Sequence, residues 1–209
     1  YLNKDPASTY LYALMTIKGE GIHQNTHQGI ELLKSVKGDE RFETLAAMKL
    51  SEYLSASGQE EASISALDGI ESRDKYYIIG KSHLRNGDKE LAFEYFQKAV
   101  DSGYREANYE IAKEMLKNDD FELSKVIYLL EEVIDYGTER DIKSQAQILL
   151  GDIYFLGTAY NYSNHSKGVR YYEDAASLGN LQALIKLSGI YIENEPENKY
   201  RLGSNKQYI

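Results

Sequence analysis

Apolar residues along this chain recur with helical spacing. The frame is plainest at Gly168, Tyr171, Tyr172, Ala175 and Gly179. It repeats at Ala92, Tyr95, Phe96, Ala99 and Gly103, again at Val126, Leu129, Leu130, Val133 and Gly137, and begins once more at Gly29, Leu32, Leu33 and Val36. Apolar positions at i, i+3, i+4 and i+7 put one stripe on a helix, and the closing glycine is a residue that ends one. A partner helix is predicted ahead of each. These carry Ala13 and Ile17, ending at Gly19; Ile79, Gly80 and His83, ending at Gly87; Ala107, Ala112 and Met115, ending near Asn118; and Ala146, Gly151 and Tyr154, ending near Gly157. Ala13, Gly80, Ala112 and Gly151 hold equivalent places. A small residue there lets a neighbouring helix cross closely, while bulky side chains fill the hollows on either side.

The predicted unit is therefore helix, turn, helix. Its bounds fall at about 5–39, 40–72, 73–106, 107–142 and 143–180, with a partial unit over 181–209. Units 40–72 and 107–142 hold the frame only loosely. One such unit cannot bury its apolar stripe alone, so neighbours must stack. The expectation is an all-α chain in a single domain over 1–209, a solenoid of about five helix-turn-helix repeats plus a terminal helix starting at Leu181. The tail PENKYRLGSNKQYI has no matching frame.

The first unit, ASTYLYALMTIKGEGIHQNTHQGIELLKSV, resembles a Sel1-like repeat, with its Gly19-Glu20-Gly21-Ile22 loop. The fifth is similar at Ala146, Leu150-Gly151, Tyr154, Gly157, Gly168, Tyr171-Tyr172 and Ala175-Ala176. It departs at Ala159-Tyr160 and has a longer loop over 158–167. The third looks more like a tetratricopeptide repeat, through Ile79-Gly80, His83, Ala92, Phe96 and Ala99. The resemblance implies a right-handed α-solenoid that serves as a non-catalytic adaptor, binding a protein or peptide in a concave groove built from the first helices. It also implies a bacterial setting, with an immunity protein against a secreted toxin or an envelope or secretion component as narrower roles, and the periplasm or cell envelope favoured over the cytoplasm. Carried onto this chain, the partner-facing positions are Tyr10, Leu14 and Lys18 in the first unit and Tyr77, Lys81, Leu84 and Arg85 in the third. In the fourth they are Tyr109, Lys113 and Leu116, and in the fifth Ile148, Asp152 and Phe155.

Composition narrows the function classes. The net charge is −9, which opposes phosphate backbones and argues against nucleic acid as partner. No apolar run approaches the length that spans a bilayer. Cysteine is absent, so disulfides and thiolate metal sites are excluded while the compartment stays open. The chain starts at Tyr1, as a trimmed or processed chain would. Tyrosine is used 19 times against 5 phenylalanines and no tryptophan, which suits half-buried faces and interfaces.

Candidate chemistry is sparse. His23 and His27 have i, i+4 spacing, but His23 falls in the predicted turn and no third ligand is evident, so no metal site is expected. His83 reads as a packing residue and His165 as a loop residue. The carboxylates at Asp119, Asp120 and Glu122, at Glu131-Glu132, and at Glu193, Glu195 and Glu197 read as solvated turns or polar helix stripes. Asn118-Asp119-Asp120 also has the look of a helix start. Asn161-Tyr-Ser163 and Asn164-His-Ser166 are glycosylation triplets that matter only in a eukaryotic secretory setting. No nucleophile elbow, phosphate loop or dinucleotide fingerprint is present, so no catalytic residue and no cofactor is expected.

Overall fold

A computed structural model describes residues 5–117, 122–156 and 164–194. Gly157, Asn118, Asp119, Asp120, Glu195, Glu197, the first glycosylation triplet, the tail and most of the 158–167 loop lie outside them. The described residues are all helix, turn and loop. The chain divides into two compact units, Tyr1–Tyr104 and Arg105–Ile209. The first holds α1 (Pro6–Lys18), α2 (Thr26–Ser35), α3 (Glu40–Ala56), α4 (Glu60–Ser65), α5 (Lys75–Asn86) and α6 (Lys89–Asp101). The second holds α7 (Ala107–Met115), α8 (Leu123–Tyr136), α9 (Arg140–Leu156), α10 (His165–Ser177) and α11 (Leu181–Asn194). Within them α1 packs on α2, α3 on α4, α5 on α6, α7 on α8, and α9 on α10.

Helix ends follow local chemistry. Asp5, Asn25, Asp39 and Asn164 each accept a backbone N–H of the first turn of α1, α2, α3 and α10, satisfying donors that the helix itself leaves open. Gly19 and Gly87 close α1 and α5 in the left-handed conformation, at φ 75° and 92°, which costs glycine little. Gly137 ends α8 as the spacing predicts, but in an extended conformation, at φ −68°. A Cβ there would stand 2.4 Å from the Val133 carbonyl oxygen, so close backbone approach explains its smallness.

The small residues of the first helices sit where the pairs cross. A Cβ on Gly151 would lie 2.4 Å from the Tyr172 ring, and one on Gly80 2.7 Å from the Phe96 ring. Ala13 and Ala112 are fully buried. The approach is reciprocal: a Cβ on Gly29 would meet Ile17 at 2.3 Å, and one on Gly168 would meet Phe155 at 2.7 Å. Counting from the crossing residue aligns the loosely framed unit too. Ala46, Leu50, Ser51 and Leu54 stand as Ala146, Leu150, Gly151 and Tyr154 do. Ser51 is fully buried and its hydroxyl meets Ser63 Oγ at 2.8 Å, while Ser63 Oγ also donates to the Ser51 carbonyl and lies 3.1 Å from Ser82 Oγ. Hydroxyls that satisfy one another replace hydrogen at this crossing, since a buried unpaired hydroxyl is costly.

The second unit contains a long-range cap. Glu106, ahead of α7, is buried, and its carboxylate accepts the N–H groups of Thr138 and Glu139 and the Thr138 hydroxyl just before α9. Burial raises this carboxyl's pKa, but those donors outweigh it and hold the value below the ordinary glutamate range. On α11, Ala183 and Leu187 are buried while Leu181, Leu184, Ile185, Tyr191 and Ile192 are exposed.

Two outcomes are expected in urea and thermal unfolding followed by circular dichroism. Gly151→Ala should lose about 1–3 kcal/mol by overpacking against the Tyr172 ring. Gly189→Ala, in α11 with nothing within 4 Å of the added methyl, should instead gain up to about 1 kcal/mol from helix propensity. Equal effects at the two sites would refute the crossing register. For Glu106, the lowered folded pKa means that its contribution is complete above the ordinary glutamate range. It is lost as pH falls through the depressed value. Glu106→Gln should therefore reduce stability at neutral pH by about 1–3 kcal/mol and flatten the acid limb of the stability–pH curve. An unchanged acid limb would refute the cap.

Candidate functional site

Relative to the crossing residue, the expected partner-facing positions fall three before it and one, four and five after it. A residue at such a place lies beside the crossing stripe and not within it. In the structure some of these side chains are exposed and others are spent on packing. Tyr10 and Leu14 are half-buried against the core around Ala13, Leu33 and Leu50, with the Tyr10 and Phe42 rings 6.1 Å apart. Lys18 is exposed and pairs with Glu20 at 3.4 Å. Ile148 is buried among Ala175 and Ala183. Phe155 stacks on His165 at 4.9 Å and tilts against Tyr172 at 6.0 Å.

Asp152 accepts the Tyr172 hydroxyl at 2.6 Å and the Lys186 ammonium at 2.7 Å. Tyr172 has its phenol pKa raised by burial first and by this bond to a carboxylate second, so it stays a donor. On the neighbouring face, burial first and the Glu131 carboxylate second push Tyr171 up to about 12. Its ring stacks on Tyr154 at 5.8 Å, with the Lys167 ammonium 4.1 Å from the Tyr154 ring centre.

Tyrosine and lysine pair along the face in both units. Lys81 Nζ lies 5.5 Å from the Tyr77 ring centre and Lys113 Nζ 5.4 Å from that of Tyr109. The i, i+4 spacing places ammonium over ring, where the ring quadrupole attracts it. Lys113 also holds the buried Glu110 at 3.1 Å, and burial raises the Tyr109 phenol. Leu84 and Leu116 are half-buried.

One cavity gathers the expected positions of consecutive first helices. It encloses about 370 Å³ between α3 and α5 in the first unit, with Tyr77, Lys81 and Arg85 on one side and Glu52, Ser55 and Ala56 on the other. Glu52, Ser55 and Ala56 stand one, four and five residues after Ser51, as Lys81, Leu84 and Arg85 stand after Gly80. The sequence reading missed the α3 contribution because it sought glycine or alanine at the crossing. Serine at that place was the available signal. Arg85 Nη1 donates to Ser55 Oγ at 2.7 Å, and Ser55 Oγ donates in turn to Glu60 at 2.9 Å.

The histidines gather no site. α2 begins at Thr26 with Asn25 as its cap, so His23 is a loop residue, and both it and His27 are exposed. Among the described residues no group of three or more His, Asp or Glu side chains is placed to hold a metal ion. His83 stacks on Tyr95 at 5.2 Å. His165 opens α10. Among the described residues, no helix is long and apolar enough to cross a membrane.

The Sel1 repeat family model matches residues 6–35, 76–104 and 144–180, the pairs α1–α2, α5–α6 and α9–α10. The pair with tetratricopeptide-like spacing is thus matched by the same Sel1 model as the other two. A crystal structure of a Sel1 repeat protein from Oxalobacter formigenes aligns over 95% of this chain and 85% of its own, with a TM-score of 0.66 at 19% identity. That of a protective antigen present in uropathogenic Escherichia coli strains, described as displaying an SLR fold, aligns over 91% of this chain with a TM-score of 0.61 at 19% identity. This chain spans 42% of that second protein's length. No curated protein matches in sequence. At such identities the likeness is one of fold, an α-solenoid of helical repeats.

Proposed function

Starting from the three helix pairs that match the Sel1 repeat family model, we propose that the chain is a non-catalytic scaffold that binds a protein partner along the faces of its first helices. The observation that carries this reading is the cavity between α3 and α5, where the equivalent positions of successive repeats line one space. Its walls combine tyrosine rings and an arginine, residue types enriched among the hot spots of protein interfaces, with a lysine beside them. An interaction surface needs such anchors and no reacting centre.

The scaffold reading stands ahead of the immunity-type one for a physical reason. An acidic, tyrosine-rich groove would suit the basic cleft of a toxin. The expected partner-facing residues, however, include Lys18, Lys81, Arg85 and Lys113 against Asp152 alone. The envelope or secretion role implied by the resemblance is compatible with a scaffold and adds to it only a location.

The test is affinity capture from lysate of the source organism, with the chain as bait beside a variant carrying Lys81→Ala and Arg85→Ala. The expected result is one or a few enriched proteins that the variant loses while its unfolding midpoint stays within a few degrees. Enrichment that the variant retains in full would move the surface away from the first helices. No enrichment over bare resin would remove the scaffold reading.

A further inference from the structure

We propose that the cavity between α3 and α5 takes an acidic side chain of an extended peptide, with Arg85 as the group that receives the carboxylate; this rests on the scaffold reading above and names the chemistry of its partner. The argument begins with the charges around the cavity. Glu52 is held by Lys49 at 2.5 Å, and Glu60 accepts from Ser55. Arg85 is different. Among the described residues no carboxylate stands within 4 Å of its guanidinium, and the hydrogen bond it makes is to the neutral hydroxyl of Ser55 at 2.7 Å.

A guanidinium has five N–H donors in a planar fork that fits a carboxylate with two parallel bonds. Ser55 is buried and anchored on Glu60, so it fixes the guanidinium at the cavity wall and leaves the remaining donors for a ligand. The chain as a whole carries −9. Other described cations, Arg41, Lys75 and Arg140 among them, also have no carboxylate within 4 Å; what sets Arg85 apart is its place on the cavity wall, where Ser55 fixes it and its local positive charge attracts a carboxylate.

The rest of the wall describes the residues beside the carboxylate. Tyr53 and Tyr77 offer rings and Ile78 an aliphatic chain, while Ser82 is spent on the buried hydroxyl seam. The volume is near the low end for pockets that enclose a whole small molecule. It suits one or two side chains of a longer segment, the acidic one at Arg85 and an apolar or aromatic neighbour along the tyrosines. Backbone on either side of that segment would follow the first helices.

The probe is a random library of acetylated, amidated hexapeptides, whose only carboxylates are side chains. It is captured on the immobilised full chain, and the bound peptides are identified by mass spectrometry. The best peptide and its Glu→Gln or Asp→Asn counterpart are then titrated by fluorescence anisotropy. The expected result is enrichment of Asp or Glu at one position beside an apolar or aromatic residue. The amide counterpart should bind roughly tenfold more weakly. Arg85→Gln should lose the preference for the acid, and Arg85→Lys should restore part of it. Circular dichroism of both variants checks that the fold is kept.

Peptides enriched without an acidic position, yet lost with Lys81→Ala, would overturn the acidic-ligand proposal and leave the scaffold reading standing. An acidic peptide bound equally well by Arg85→Gln would overturn it as well. No enrichment of any peptide, or capture of free dicarboxylic acids added as competitors in place of peptides, would overturn it too. The scaffold reading would then be decided by the lysate capture alone.

Discussion

Paired helices in this chain approach until one side chain must vanish. At the Gly151–Tyr172 and Gly80–Phe96 crossings the ring of the second helix occupies the space that a Cβ would need. That single constraint fixes the rotation of each first helix about its axis, because the small residue has to face the partner helix. Once rotation is fixed, every other position on the helix has a fate. The residue one before the crossing, as at Ile79, Ile111 and Leu150, is buried in the core, and those three before and one, four and five after it flank the stripe. The repeat is thus defined less by its length than by the small residue at its crossing.

The same constraint explains how a repeat can drift in sequence and keep its place. At Ser51 the crossing is wider in chemistry but not in geometry: a hydroxyl occupies the contact and is satisfied by Ser63, which reaches Ser82 in turn. Leu50 and Leu54 keep the bulky places beside it, and both are buried. A polar crossing has to be satisfied on every atom, so it couples α3, α4 and α5 through three side chains. An apolar crossing couples only its own pair. Glu106 plays a related part in the second unit by tying the residues ahead of α7 to those ahead of α9 through charged hydrogen bonds.

Much of this was legible in the sequence. The helix pairs, the closing glycines at Gly19 and Gly87 and the crossings at Ala13, Gly80, Ala112 and Gly151 follow from spacing, because a helix repeats every 3.6 residues and a missing side chain leaves a visible gap in the pattern. Three things were not. Ser51 did not read as small, since its fitness there depends on Ser63 twelve residues away. Gly137 ends its helix as expected, but that its smallness serves the Val133 carbonyl is not written in the spacing. The allotment of surface between packing and partner also escaped. Ile148 and Phe155 share a register with Tyr77 and Leu84, but whether such a residue is covered depends on the element stacked next to it, which no local pattern encodes.

That last point separates the partner-facing positions by what already neutralises them. Asp152 is engaged by Tyr172 and Lys186, Lys113 by Glu110, and Lys18 by Glu20. In each case the charge is balanced within the chain, and a ligand would first have to displace an internal partner. Lys18–Glu20 is exposed on both sides, the kind of pair that contributes little to stability, whereas Glu110 is buried and Asp152 and Lys186 are partly so. Arg85 departs from them. Its bond to Ser55 orients the guanidinium without neutralising it, an arrangement that does little for the folded state by itself. On a chain with net charge −9 many carboxylates were available to close that position. Held at the wall of the α3–α5 cavity by Ser55, the guanidinium keeps donors that the fold itself does not use.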